Sequence, residues 1–251
     1  MEYSQLNGYQ SKIIWLFLGN SDTKSLNLGM NWLQGTITIF KKDLKAEFRT
    51  RFAFNMVIAF VLSALFLIMF TLKAQELNPT PKSGLIWIIV LFAALSSLGR
   101  SFISETDKNT YNLLRIYASG SSVFSGKLLY NITFSFVINV FTFSVYTFFV
   151  DLTIVSWSSF LTILIFGTIG LSGVSTMIAA IVSQADRKGA IFSVLTIPLF
   201  IPFILLLTSI TKSAFIDGAS EGFTNDFSAL IGFIGVTITA GILLFEYIWE
   251  E

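Results

Sequence analysis

Residues 52–72 contain no Asp, Glu, Lys or Arg, and the same absence recurs over 83–99, 128–150, 152–185, 189–211 and 227–245. Apolar runs of ~18 residues or more can cross the ~30 Å hydrocarbon core of a bilayer as helices. The run 152–185 exceeds one crossing, and its polar start at Ser156, Ser158 and Ser159 confines the span to 160–182. Six spans are therefore expected, near 52–72, 84–104, 128–150, 160–182, 190–211 and 228–249. In hydrocarbon, backbone polar groups must be satisfied by a helix or a closed barrel. No segment shows the apolar/polar alternation of a barrel strand, so the chain reads as an all-α integral membrane protein with residues 52–251 as its transmembrane domain.

Composition narrows the chemistry. Apolar residues make up 54% of the chain and charged ones 12%, against ~25% charged in soluble domains. Cysteine and histidine are both absent, which removes thiol nucleophiles, His bases and zinc sites built on either residue. With no charge expected in the core of any span, an intramembrane enzyme is disfavoured. The net charge of +1 carries no nucleic-acid signal.

The placement of Lys and Arg sets the expected topology. Lys41, Lys42, Lys45, Arg49 and Arg51 precede the first span, Lys108, Arg115 and Lys127 lie between the second and third, and Arg187 and Lys188 between the fourth and fifth. These segments, and with them both termini, are expected in the cytoplasm; 73–83, 151–158 and 212–227 are expected outside. Within 30–51, Leu33, Thr36, Ile37, Phe40, Leu44 and Phe48 share one face at helical spacing, with the basic residues around the rest. This predicts an amphipathic helix lying along the cytoplasmic leaflet. Residues 1–29 hold no run long enough to span and read as a dispensable extension.

Several smaller features have competing readings. Gly120 to Leu128 (GSSVFSGKL) resembles a phosphate loop but has one residue too many between its glycines and Leu128 where Ser or Thr is needed. The glycosylation-type triplet Asn131-Ile132-Thr133 falls inside a span and is expected to be unmodified. Arg100, where span two meets the cytoplasm near Glu105 and Asp107, reads as a snorkelling side chain with a local ion pair, or else as a gating residue. Glu246 and Trp249 mark the inner interface. Gly167, Gly170 and Gly173 form a small-residue seam for close helix approach. Pro198 and Pro202 interrupt the fifth span, as a structural bend or as a hinge. Between Glu105 and Lys127 a short helix starts at Asn109 or Thr110 and stops at the Ser-Gly cluster 119–122. Its apolar patch, Leu113, Leu114, Ile116 and Tyr117, either lies on the membrane or docks in a partner's groove.

FKKDLKAEFRTR, LSSLGRSFISETDKNTYNLL, GKLLYN and FGTIGLSGVSTMIAAIVSQADRKGAIFSVLTIPLFIPFIL, in that order over about residues 31–211, resemble haem exporter protein B, the CcmB family. Arg100, Phe102, Glu105 and Leu114 fall where the family has its Arg, Phe, acid and Leu; Gly99, Asn109 and Asn112 depart from its pattern. The resemblance implies an ABC-2 type permease of the bacterial inner membrane, not itself catalytic, coupling a partner's ATP hydrolysis to haem delivery or release of a haem chaperone in cytochrome c biogenesis. The alternative is an ABC-2 permease for another amphiphile, such as a lipid, glycan or drug. Implied partners are a cytoplasmic CcmA-like ATPase docking on Glu105, Asp107, Tyr111, Leu114 and Arg115, a haem-handling CcmC-like membrane protein, a small CcmD-like subunit and a periplasmic CcmE-like chaperone. No cofactor is expected on this chain. Haem iron is usually held by His, Cys, Met or Tyr, which leaves Met56, Met69 and Met177 as candidate ligands within spans, and methionine there is more often a packing residue.

Overall fold

A computed structural model describes residues 32–107, 110, 114–115, 118–151, 154–183, 188–216 and 221–250. The extension 1–29, Tyr111, Asn109 and Arg187 lie outside them. The described residues form eight helices and a short 3-10 turn: α1 (Trp32–Thr50), α2 (Phe52–Leu72), the turn Ala74–Glu76, α3 (Pro79–Ser97), α4 (Arg100–Asp107), α5 (Gly120–Val150), α6 (Trp157–Val182), α7 (Lys188–Ile216) and α8 (Glu221–Glu250). No strand occurs among them, and six helices are long and apolar enough to cross a membrane.

Helix ends explain where the spans begin and turn. Arg51, Lys73 and Asp151 take left-handed backbone conformations, with φ of 51°, 46° and 53°, each directly after a helix. This position usually falls to glycine because a Cβ there meets its own backbone; here three charged residues occupy it. Arg51 turns the chain from α1 straight into α2. Pro79 starts α3, where a missing N–H loses no helical bond, so this span begins before the expected residue 84.

Two boundaries differ from expectation. Span two is not continuous to 104: it breaks at Leu98–Gly99 and resumes as α4. A Cβ on Gly99 would lie 2.9 Å from the Phe192 ring, so the bend brings backbone against that aromatic. The cluster at 119–122 opens α5, which begins at Gly120, eight residues before the expected span. Ser119 stands in extended backbone before the first turn, and its hydroxyl meets that of Ser122 at 2.8 Å.

The most enclosed helix is α6, which packs against α5, α7 and α8, with α3 and α4 beside it. Its glycines do more than permit helix approach, since each receives a large side chain from a different helix. An added Cβ would lie 2.5 Å from Trp87 at Gly167, 2.2 Å from Phe203 at Gly170 and 3.1 Å from Ile238 at Gly173. Trp87 is fully buried, stacks edge-on with Phe143 at 5.3 Å and donates its indole N–H to Thr211 Oγ1 at 2.8 Å. Helix α7 continues through Pro198 and Pro202, which face outward, while Thr196, Phe200 and Phe203 face the bundle.

One end of the bundle, away from α1, is closed by Lys82. Expected as a loop charge, it is buried, and its ammonium donates to the carbonyls of Gln75 at 3.0 Å and Val150 at 3.2 Å. A cation there satisfies the Val150 carbonyl left free at the C-terminus of α5 and ties it to the turn Ala74–Glu76.

Candidate functional site: a buried charge cluster between three helices

At the other end, four charged side chains meet. Helix α1 lies across the start of α5, close enough that a Cβ on Gly126 would be 2.8 Å from the Thr36 carbonyl. Its buried stripe is Gly35, Thr36 and Ile39, whereas Leu33, Ile37 and Phe48 of the expected apolar face are exposed. The helix thus has two working faces, one for the bundle and one suited to lipid. Continuing the bundle-facing stripe by one turn brings Lys42 and Asp43 inward, which corrects the placement of Lys42 on the solvated side.

Lys127, expected in a cytoplasmic loop, is 1% exposed. Its ammonium lies 3.1 Å from Asp43 Oδ2 and 3.4 Å from Glu105 Oε1, donates to the Ser101 carbonyl and sits 5.2 Å from the centre of the Phe102 ring. Lys42 pairs with the same Glu105 oxygen and lies 3.3 Å from Asp43 Oδ1. The Thr110 hydroxyl donates to Glu105 Oε2. Two cations and two carboxylates cancel, the condition under which charges survive burial. Burial pushes the Glu105 carboxyl upward, but Lys127 and Lys42 together, with hydrogen bonds from Lys42 and Thr110, outweigh it and hold the group down at about 2. Burial likewise acts against the Lys42 ammonium, and Asp43 and Glu105 overcome it, raising its affinity for the proton.

The residues expected to meet a partner divide accordingly. Glu105 is turned inward and occupied by two lysines. Leu114 is also buried, in an apolar cluster with Ile39, Phe102, Val123 and Phe124, so it holds its own chain together. Arg115 is exposed. Asp107 ends α4, and Tyr111 is outside the described residues. Arg100 makes no ion pair with Glu105: its guanidinium lies 4.9 Å over the Phe52 ring and donates to Met56 Sδ at 3.9 Å. Trp249, expected at the interface, is buried and donates to the Ala118 carbonyl at 3.1 Å. Sequence reading missed Lys42, Asp43 and Lys127. The available signal was spacing, because Lys127 begins a polar series with Asn131, Ser135 and Asn139 every fourth residue.

Six membrane-length helices, with an amphipathic helix docked on them and charge gathered at one end, define a multi-pass helical membrane protein. The family model described as CcmB protein matches residues 34–245. The chain belongs to the CcmB family, whose members are haem-exporter permease components of cytochrome c maturation. No curated protein matches the chain.

Proposed function

We propose that this chain is the permease subunit of an ABC-type complex whose CcmA-like ATPase docks at the charged end and drives haem delivery or release of a CcmE-like haem chaperone. The reading places both termini in the cytoplasm of a bacterial inner membrane, as the Lys and Arg bias supports. The observation that carries it is the cluster itself. Asp43 and Lys42 on α1, Glu105 on α4 and Lys127 on α5 join three helices, and Thr110, on the segment that carries Arg115, hydrogen-bonds to Glu105. A push on that segment therefore moves the interfacial helix and a full span together, while exposed Arg115 is free to face the partner.

With no His or Cys in the chain, the axial haem ligand is assigned to a CcmC-like partner, and a CcmD-like subunit completes the assembly. Met56 supports this assignment, since its sulfur already accepts from Arg100. Gly167, Gly170 and Gly173 would serve as fixed seats for Trp87, Phe203 and Ile238, and the prolines at 198 and 202 as the hinge of α7.

The test is coexpression with the ATPase and purification in mild detergent. Arg115→Glu is expected to strip the ATPase while the subunit stays in the membrane; Lys127→Met is expected to keep the ATPase bound yet lose ATP-dependent chaperone release. An ATPase retained by Arg115→Glu at full activity would sink the docking assignment. Full transport of a lipid, glycan or drug by the permease and ATPase alone would favour a general exporter instead.

A further inference from the structure

Along α5, Lys127, Asn131, Ser135 and Asn139 recur every fourth residue and all are buried; on α6, Thr168, Ser172 and Thr176 do the same. The two helices run antiparallel, so Asn139 Nδ2 donates to Thr168 Oγ1 at 2.9 Å and Asn131 Nδ2 to Thr176 Oγ1 at 2.8 Å. Register places Ser135 and Ser172 opposite each other between those bonds. A seam of neutral polar groups thus runs inward from the charge cluster.

The hydrogen bonds around Asn131 do not close. Ser101 Oγ donates to the Leu98 carbonyl at 3.3 Å and Thr176 Oγ1 to the Ser172 carbonyl at 2.5 Å. Each hydroxyl has a single hydrogen, so both can only accept from Asn131, and they occupy its two N–H groups at 3.3 and 2.8 Å. That fixes the orientation of the amide and leaves Oδ1 buried without a donor. Ser172 Oγ and Ser175 Oγ, within a turn of Thr176, are buried and unpartnered too. Unmade hydrogen bonds in hydrocarbon carry the full desolvation penalty. One turn along α5, Ser135 and Asn139 line a recess shared with Ser97 of α3, with room for about one water molecule.

We propose that the α5–α6 seam is a water-binding site inside the membrane. Water donates to Asn131 Oδ1 and bridges to the Ser172 and Ser175 hydroxyls, reaching them past Ser97, Ser135 and Asn139. Buried waters bind to otherwise unsatisfied polar groups, and Asn131 Oδ1, Ser172 Oγ and Ser175 Oγ are three such groups on these two helices. An ion would find only neutral hydroxyls and amides, with nothing to offset its desolvation. Hydration also lets the bonds between α5 and α6 exchange without orphaning a donor, so the helix that carries Lys127 can shift against the most enclosed helix of the bundle.

Radiolytic footprinting of the full chain in lipid nanodiscs tests this, because X-rays turn bound water into hydroxyl radicals that oxidise the side chains they touch. Buried Phe134 and Leu171, beside the seam, are expected to oxidise several-fold faster than Phe136 and Ile165, which face out of the bundle; equal or slower oxidation overturns the proposal. The Ser172→Ala, Ser175→Ala double variant supplies a second reading. Loss of bridged hydroxyls lowers the thermal unfolding midpoint and cuts oxidation of Phe134 several-fold. An unchanged or raised midpoint, the sign that dry orphan hydroxyls had been removed, overturns it.

Discussion

Lys127 and Asp43 stand 84 positions apart and meet at 3.1 Å, the one on a membrane span and the other on the helix lying across it. Their contact gives α1 a defined seat. Thr36 and Ile39 supply the apolar part of that seat, and the ion pair sets its register, since sliding α1 by one turn would leave Lys127 facing Ile39.

Breaking one partner of a buried charge set is far more harmful than exchanging the whole set for apolar groups. Lys127→Ala leaves Asp43 and Glu105 to Lys42 alone and is expected to destabilise the chain by about 3–5 kcal/mol. Thermal unfolding followed by tryptophan fluorescence measures it. Adding Asp43→Asn should recover part of the loss, and additive losses would show that the two residues do not interact.

The same cluster sets a pH window. Glu105 is held below its ordinary carboxylate value, at about 2, so its contribution is complete above the ordinary value and fades as pH falls toward 2. Lys42 is raised above the ordinary lysine value of 10.5, so its contribution is complete below 10.5 and lost as pH climbs through the raised value. The unfolding midpoint should be flat between these limits and decline on both sides. Glu105→Gln should lower the plateau and flatten the acid limb; an unaltered acid limb would assign it to other carboxylates.

Glycine substitutions should divide by location. Gly170→Ala places a methyl 2.2 Å from the end of the Phe203 ring and is expected to cost about 1–3 kcal/mol through overpacking, with Phe203→Leu restoring part of it. Gly232 and Gly235 have nothing within 4 Å of an added Cβ. Alanine there should be neutral or stabilise by up to about 1 kcal/mol, because it lowers the entropy lost on forming the helix. Unfolding midpoints of the four variants decide.

Topology can be read with single cysteines, because the chain has none of its own. Ser119→Cys, at the start of α5, should resist a membrane-impermeant thiol reagent added to intact cells, and Val155→Cys, in the connection to α6, should react. The reverse pattern would invert the proposed orientation.

A version beginning at Met30 should insert and retain the ATPase, since the family match starts at residue 34 and α1 at Trp32. Loss of the ATPase on gentle purification would make residues 1–29 part of the complex.

The number of spans, and with it the helical class of the fold, was determined by the sequence alone: a bilayer forbids unsatisfied backbone, so length and absence of charge suffice. Periodicity likewise found α1, and the glycines of α6 announced close packing. Which face of α1 meets the bundle was not legible, because Leu33 and Ile37 satisfy the apolar pattern as well as Ile39 does, and hydropathy does not distinguish lipid from protein. Lys127 and Lys82 looked like loop charges for the same reason: near a span's end a lysine is equally at home in water or beside a carboxylate or carbonyl. Tertiary structure decided between them. Only the crossing of α1 over α5 and the bend at Gly99 bring Asp43 and Glu105 to Lys127, and that neutralisation is what allows the charge to be buried.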